Sequence, residues 1–231
     1  MSLSPTFNKS GIEWTDFTWN PVTGCHHNCS YCYAKNIARR FIDTFPKGFD
    51  YHVREERFDA PENQPFPRPG KNKVFVCSMA DLFGEWVEEE VIYRVLEKAE
   101  QHPEFTFIFL TKNPGRLSSF TFPKNAWVGA TIDRQSVLDS SLKALSETDA
   151  VLKYISFEPL IEEITVDAEL VASVVDWAII GCDSSKRRNK FIPSLIHIAG
   201  MMHDFQQAGL PVFLKPNVAE SFPQDLPEVT A

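Results

Sequence analysis

Three cysteines close together near the start of the chain are the residues best suited to chemistry. Cys25, Cys29 and Cys32 lie within eight residues of one another. Thiolates are the usual ligands of iron–sulfur clusters, and three of them bind three of the four irons of a cubane, which leaves one iron open to another ligand. The spacing therefore predicts a [4Fe-4S] cluster with an open position, which is typical of a catalytic centre.

A structural zinc ion is the main alternative for this loop. His26 or His27 can supply a fourth ligand, but closed zinc sites normally take their ligands from two separated pairs, and the sequence has no second pair. Cys77 and Cys182 each stand alone at the end of an apolar run, where a cysteine usually serves as a small core residue. We assign neither of them to the metal.

Polar residues at the ends of apolar runs form a second group of candidates. Glu158 interrupts the apolar run of residues 154–160, and a buried carboxylate is costly unless a partner or a ligand satisfies it. Lys215 ends the last run in the same way, so the two residues either pair with each other or bind an anionic group together. Earlier runs end in further candidates for ligand contacts, although the first two can instead cap a helix: Ser78, Asp81, Thr111, Lys112 and Thr131.

A regular alternation of strands and helices must position these candidates. Apolar runs rich in β-branched and aromatic residues predict strands at 14–19, 73–77, 105–110, 126–131, 152–157, 176–181 and 211–214. Apolar residues at helical spacing predict helices over 34–42, 91–99, 137–145 and 195–205. The alternation predicts an α/β fold with parallel strands, as a partial or complete (β/α) barrel of about six to seven strands. A doubly wound open sheet is the alternative, but no glycine-rich nucleotide loop follows any strand.

The length of 231 residues, with 43% hydrophobic residues, predicts one domain over residues 1–231. Residues 46–73 interrupt the alternation with five prolines, and we expect them to form a lid-like insertion over the barrel mouth. Residues from about 220 onward are rich in proline and acidic residues, which predicts a loose tail.

Charge and hydropathy limit the partners of the chain. A net charge of -8 opposes broad, sequence-independent binding to a phosphate backbone. The first residues lack the apolar stretch of a secretory signal, and no run reaches the ~18 apolar residues that span a bilayer. We therefore expect a cytoplasmic protein with no membrane partner, in a compartment where clustered thiols are more often metal ligands than disulfides.

The cysteine pattern resembles the signature of the radical S-adenosylmethionine (radical SAM) superfamily. That signature is Cys-x3-Cys-x2-Cys with an aromatic residue before the last cysteine, here Tyr31. More narrowly, residues 12–25, 74–83, 110–114, 127–129, 156–160, 176–181 and 213–215 resemble the phage Gp37/Gp68 family of uncharacterised proteins. The resemblance covers roughly residues 11–217 and implies a (β/α) barrel of the radical SAM type. Two features differ from the narrower family. The first two cysteines are closer together in this chain, and Gly181 is followed by Cys182 and Asp183 rather than by glycine and glutamate.

The superfamily resemblance implies a mechanism. The open iron binds S-adenosyl-L-methionine, and an electron from the cluster breaks the sulfonium bond to give methionine and a 5'-deoxyadenosyl radical, which abstracts hydrogen from a substrate. It also implies that Tyr31 lies beside the adenine and that Ser78 and Asp81 bind the methionine amino group. The other implied cofactor-binding residues are Thr111, Thr131, Glu158 and Gly181, and the implied catalytic residues are Glu158, Lys215 and Lys112.

The phage-linked family implies nucleic acid or a nucleotide as the substrate class, through modification or photoproduct-lyase-like repair. A reductant such as flavodoxin or ferredoxin is the implied protein partner. Two other interpretations stay open. One is a non-enzymatic iron–sulfur or zinc-binding module that recognises a partner. The other is a metal-independent hydrolase or isomerase with Glu158 and Lys215 as acid and base, which leaves the cysteines unexplained.

Overall fold

Strands and helices alternate through most of the chain. The computed structural model describes residues 5–185 and 187–218. The strands are β1 Asn8–Lys9, β2 Phe17–Trp19, β3 Val22–Thr23, β4 His52–Val53, β5 Lys73–Val76, β6 Thr106–Thr111, β7 Ala126–Thr131, β8 Leu152–Leu160, β9 Trp177–Cys182 and β10 Val212–Leu214. The α-helices are α1 Tyr33–Arg40, α2 Ala60–Asn63, α3 Glu89–Glu100, α4 Leu138–Ser146, α5 Ala168–Val174 and α6 Leu195–Gln207.

Eight of these strands form one mostly parallel sheet in the order β1-β2-β5-β6-β7-β8-β9-β10. β2 pairs parallel with β5, β5 with β6, β8 with β9 and β9 with β10, whereas β1 pairs antiparallel with β2. The predicted α/β class is therefore confirmed. The strand order has two ends, so the described strands do not close a complete barrel. The sheet exceeds the predicted six to seven strands because β1, with two residues, is too short to leave a periodic pattern.

Contacts divide the chain into two compact units. The first comprises the described residues within 1–113, 119–127 and 149–151, and the second comprises those within 114–118, 128–148 and 152–231. Aromatic rings contribute to both cores: Phe7, Trp19, Phe105 and Phe107 in the first unit, and Tyr154, Trp177 and Phe213 in the second. The expectation that residues 1–231 act as one domain stays a prediction.

The helices differ in how completely they bury the predicted apolar face. α3 buries all of it, namely Val91, Ile92, Val95, Leu96 and Ala99. α1 buries only Ala34 and Ala38 of its apolar face, whereas Ile37 is 37% exposed and Phe41 is 50% exposed. Within the described residues, no helix has both the length and the apolar composition needed to cross a membrane.

The insertion at residues 46–73 has secondary structure of its own. It contains β4, a 3-10 helix at Glu55–Arg57 and α2. β4 pairs antiparallel with β3, which directly precedes the cysteine loop. Phe58 is buried, whereas Phe66 is 82% exposed. The role of this segment as a lid stays a prediction, and the predicted tail from residue 220 lies outside the described residues.

Candidate metal and cofactor site

Cys25, Cys29 and Cys32 lie on the loop between β3 and α1. The backbone N–H of Cys32 donates to the carbonyl oxygen of Cys29 at 3.2 Å, which holds these two residues in one turn. Asn28, with φ 52°, supplies left-handed backbone between them. Cys32 is also the N-cap of α1, where its Sγ accepts a hydrogen bond from the N–H of Lys35 at 3.4 Å. None of the three cysteines is in a disulfide, and all three are only partly buried, so they remain accessible to a metal centre.

Gly24 connects β3 to this loop and lies against the insertion. Its φ is 86°, and a Cβ atom there would lie 2.0 Å from the carbonyl oxygen of Asp50. That distance is far inside van der Waals contact, so only glycine fits. The next residue, Cys25, donates its backbone N–H to the carbonyl oxygen of Phe49 at 3.3 Å. The backbone of the insertion therefore helps to position the first cysteine.

The electrostatics of Cys25 fit a cation-binding role. Burial, with smaller contributions from the charges of Asp81, Cys29 and Cys32, raises the pKa of its thiol to about 12 in spite of a lowering hydrogen bond from the backbone of His27. The thiolate form of Cys25 is therefore disfavoured without a nearby cation. A metal centre reverses this effect because its positive charge stabilises thiolates. The donor set of three thiols therefore fits an iron–sulfur cluster.

No group of three or more His, Cys, Asp or Glu side chains within the described parts of the chain could hold a metal ion. A single metal ion needs ligands that converge on one point. In an iron–sulfur cubane each thiolate binds a different iron, so the sulfurs do not have to meet at one point.

Asp81 is the polar centre of the first unit. Asp81 is 5% exposed, and its carboxylate accepts four hydrogen bonds. Oδ1 accepts from the Thr111 hydroxyl at 2.7 Å and from the Phe83 N–H at 3.0 Å. Oδ2 accepts from the Lys112 N–H at 2.8 Å and bonds His27 Nε2 at 2.7 Å. Asp81 therefore connects the cysteine loop to the end of β6, and any ligand contact of its own is additional to this role.

Asn20 positions the segment that follows β5, and the sequence reasoning missed it. Its Oδ1 accepts the Met79 N–H at 2.9 Å and the Ser78 hydroxyl at 3.2 Å. Tyr33 on α1 donates its hydroxyl to the carbonyl oxygen of Ser78 at 2.8 Å. Asn20 directly follows β2, so the rule that selects polar residues at strand ends would have found it.

Aromatic rings surround the cysteine loop. The Lys112 ammonium lies 5.3 Å from the centre of the Tyr31 ring, a cation–π distance that brings two predicted site residues together. The rings of His26 and His27 lie 4.8 and 4.9 Å from that of Trp86. Trp86 Nε1 is buried and has no hydrogen-bond acceptor among the described residues. An unused donor beside the loop fits a site that a bound group completes.

The other predicted site residues belong to the second unit, and three of them form one arrangement. Lys215, after β10, forms an ion pair with Glu158 in β8. The two side chains meet over Gly181 in β9, where a Cβ atom would lie 3.0 Å from Glu158 Cγ and 3.0 Å from Lys215 Cδ. The pairing that the sequence suggested is therefore present, and Gly181 leaves the space for it. Thr131, at the end of β7, is buried.

Solved structures that resemble this chain share its fold at low sequence identity. Spore photoproduct lyase complexed with dinucleoside spore photoproduct has a TM-score of 0.54 and 12% identity, over 89% of this chain and 65% of that chain. A cysteine-to-serine mutant of spore photoproduct lyase has a TM-score of 0.59 and 11% identity, over 93% and 81%. A radical SAM methyltransferase from Sphaerobacter thermophilus has a TM-score of 0.53 and 14% identity, over 86% and 66%. This chain thus spans about two thirds of the first of these proteins.

These likenesses show a fold shared with radical SAM enzymes. No curated protein matches the sequence. The narrower resemblance to the phage Gp37/Gp68 family stays a prediction. Residues 9–217 match the model of a family described as "Protein of unknown function (DUF5131)". The chain therefore belongs to this family of proteins of unknown function, DUF5131.

Proposed function

We propose that this protein is a radical SAM enzyme whose [4Fe-4S] cluster is held by Cys25, Cys29 and Cys32. One observation carries the proposal: a loop with three accessible thiols precedes the first α-helix of a fold that radical SAM enzymes share. When bound, the cluster and S-adenosyl-L-methionine supply a 5'-deoxyadenosyl radical that abstracts hydrogen from a substrate.

The first unit supplies the residues that orient the cofactor in this proposal. Tyr31 borders the adenine, with the Lys112 ammonium beside its ring. Ser78 offers its hydroxyl to the methionine amino group. Asp81 acts mainly by positioning, because both of its oxygens already hold protein donors, one of them the Thr111 hydroxyl.

The second unit supplies a charged pair in this proposal. Glu158 and Lys215 are partly exposed, with side-chain exposures of 23% and 16%, so both can still reach a ligand. Together with Lys112 they are the proposed catalytic residues, and they can hold or move a proton at the carboxylate oxygen or the ammonium nitrogen. Gly181 and Thr131 are proposed cofactor contacts, with Gly181 allowing close backbone approach.

We infer nucleic acid or a nucleotide as the substrate class. The fold is shared with spore photoproduct lyase, which has been crystallised with a dinucleoside photoproduct, and this likeness supports repair or modification chemistry. The net charge of -8 favours a small or locally docked substrate over a long duplex. A low-potential reductant such as flavodoxin or ferredoxin is the proposed electron donor.

The decisive experiment is anaerobic reconstitution with iron and sulfide, followed by reduction with dithionite in the presence of S-adenosylmethionine. The assay measures bound iron and sulfide and the release of 5'-deoxyadenosine. We expect the wild type to produce 5'-deoxyadenosine and Cys29→Ala to produce none. Cys182→Ala is the matched control, because it removes a partly buried cysteine outside the loop and should keep the cluster.

The other outcomes separate the alternatives. A cluster without cleavage of S-adenosylmethionine would favour a non-enzymatic iron–sulfur module. Tight binding of zinc with no cluster would contradict the proposal. Loss of the cluster in Cys182→Ala as well as in Cys29→Ala would show that the loop alone does not define the ligands.

A further inference from the structure

A polar cavity in the first unit has no part in the proposed chemistry. Its volume is about 260 Å³, and it is bordered by β1, the end of β2 and the insertion. This volume is slightly below the ~300–1,000 Å³ of typical small-molecule sites, so it suits one functional group rather than a whole cofactor. Its polar lining residues are Thr6, Asn8, Thr18, Asn20 and Arg57.

The positive charge of Arg57 has little negative charge near it among the described residues. Its side chain is 20% exposed, and among the described residues it pairs with the carboxylate of Glu56, whose closest oxygen lies 4.0 Å from Nε. That same oxygen already bonds Arg54 at 2.8 Å. Burial, followed by the charge of Arg54, lowers the pKa of Arg57. A guanidinium stays charged in proteins, and the charge of Glu56 offsets only part of the cost of burying it.

Most of the hydrogen-bonding capacity of this guanidinium is unused. Of its five N–H groups, one donates from Nη1 to the carbonyl oxygen of Asn20 at 3.2 Å, and the described residues provide no acceptor for the others. The backbone of Arg57 is fixed, because its carbonyl oxygen accepts a hydrogen bond from Trp19 Nε1 at 2.8 Å. The side chain is therefore held at the wall of the cavity with free donors.

Asn20 adds a second unused donor. Its Oδ1 accepts the backbone N–H of Met79, which can only donate, so the orientation of the amide is fixed. Its Nδ2 donates to none of the described residues. Thr6 and Thr18 also line the cavity, and the Thr6 hydroxyl donates to the carbonyl oxygen of Phe7 at 3.5 Å. A guanidinium and an amide donor at one concave site suit the several oxygens of a tetrahedral anion, whereas a guanidinium alone suffices for a planar carboxylate.

We propose that this cavity binds a phosphate group, with Arg57 as its principal ligand. The group can belong to a phosphomonoester or to a phosphodiester, because both present oxygens to the same donors. The site does not depend on the cysteine loop or on the cluster chemistry. A phosphate bound by Asn20 would contact the same residue that accepts hydrogen bonds from Ser78 and Met79.

Binding of inorganic phosphate to the full chain tests this proposal. Isothermal titration calorimetry at constant ionic strength, with chloride as the replaced anion, measures the affinity and the stoichiometry. We expect saturable binding of one phosphate, weakened about tenfold or more by Arg57→Gln, since hydrogen bonds to a charged group contribute ~1.5–3 kcal/mol. Arg39→Gln removes the same charge from an exposed position on α1 and should leave the affinity unchanged.

A second variant keeps the test valid if Arg57→Gln does not fold. Thr18→Val removes a hydroxyl from the cavity wall with little change in volume, and it should weaken phosphate binding several-fold while the circular dichroism spectrum stays native. The same titrations on Cys29→Ser should match the wild type, because the site is separate from the metal ligands.

Further probes identify the source of the group. Binding of both inorganic phosphate and dimethyl phosphate would support a phosphodiester site, and binding of inorganic phosphate alone would support a free or terminal phosphate. Absence of saturable phosphate binding by the wild type would overturn the proposal. Equal phosphate affinity in the wild type and in folded Arg57→Gln, or acetate binding as tight as phosphate binding, would overturn it as well.

Discussion

Replacement of Asp81 by asparagine tests how the first unit is held together. Each carboxylate oxygen accepts one backbone N–H, from Phe83 or from Lys112, and one side-chain donor. In Asp81→Asn one oxygen becomes an NH2 group, which cannot accept. The side-chain partners can adapt, because the Thr111 hydroxyl can rotate and His27 can change tautomer. A backbone N–H cannot adapt, so one orientation of the amide breaks the bond from the buried Phe83 N–H and the other breaks the bond from the partly buried Lys112 N–H.

The magnitude follows from this count. An orphaned buried N–H costs about 1–3 kcal/mol, and the remaining bonds lose the contribution of the negative charge, so we expect the free energy of unfolding to fall by about 2–4 kcal/mol. Urea unfolding of the iron-free chain under anaerobic, reducing conditions measures it. Asp43→Asn, at an exposed position, is the control and should change stability by less than about 0.5 kcal/mol. A loss below about 1 kcal/mol in Asp81→Asn would refute the reasoning, because it would mean that the carboxylate is not the obligatory acceptor of both amides.

Two further predictions concern the second unit and the buried thiol. Gly181→Ala should lower the free energy of unfolding by about 1–3 kcal/mol in urea, because the added methyl group displaces the Glu158–Lys215 pair. Gly200→Ala in α6, where a Cβ meets nothing within 4 Å, is the control and should raise the free energy of unfolding by up to about 1 kcal/mol. A loss of stability in both variants would mean that the Glu158–Lys215 pair is not the cause. Cys77 should resist iodoacetamide at pH 8 until denaturant is added, because burial raises the pKa of its thiol to about 12 and keeps the thiol neutral below that pH. Mass spectrometry of labelled peptides measures the modification, and labelling of Cys77 before denaturant is added would contradict the prediction.

The sequence predicted the regular part of the fold because that part repeats a pattern. Buried parallel strands are continuous apolar runs, and β7 begins and ends where its run does. The two-residue strands β1, β3 and β4 are too short to carry any period. The apolar spacing of α1 predicted the helix but not its exposure, because such spacing indicates a face that can be buried and does not show what covers it.

The candidate site was predicted unevenly for a related reason. The position of Lys215 and Glu158 at the ends of apolar runs suggested their pairing, because the carboxyl ends of parallel strands lie at the same edge of a sheet. In the structure they belong to β8 and to the residue after β10, and they meet across β9. The hydrogen bond between His27 and Asp81 was not predicted. The two residues are 54 positions apart, and nothing in their local sequence marks them as partners.

The contact between Gly24 and Asp50 has a consequence for how such chains can diverge. Any side chain at position 24 would collide with the backbone of the insertion, so a substitution there is tolerated only if the segment around Phe49 and Asp50 is displaced or deleted. A shortened insertion would remove this collision and the hydrogen bond that holds Cys25, but the φ of 86° would still favour glycine at position 24. Related chains that keep the insertion should therefore keep the glycine as well.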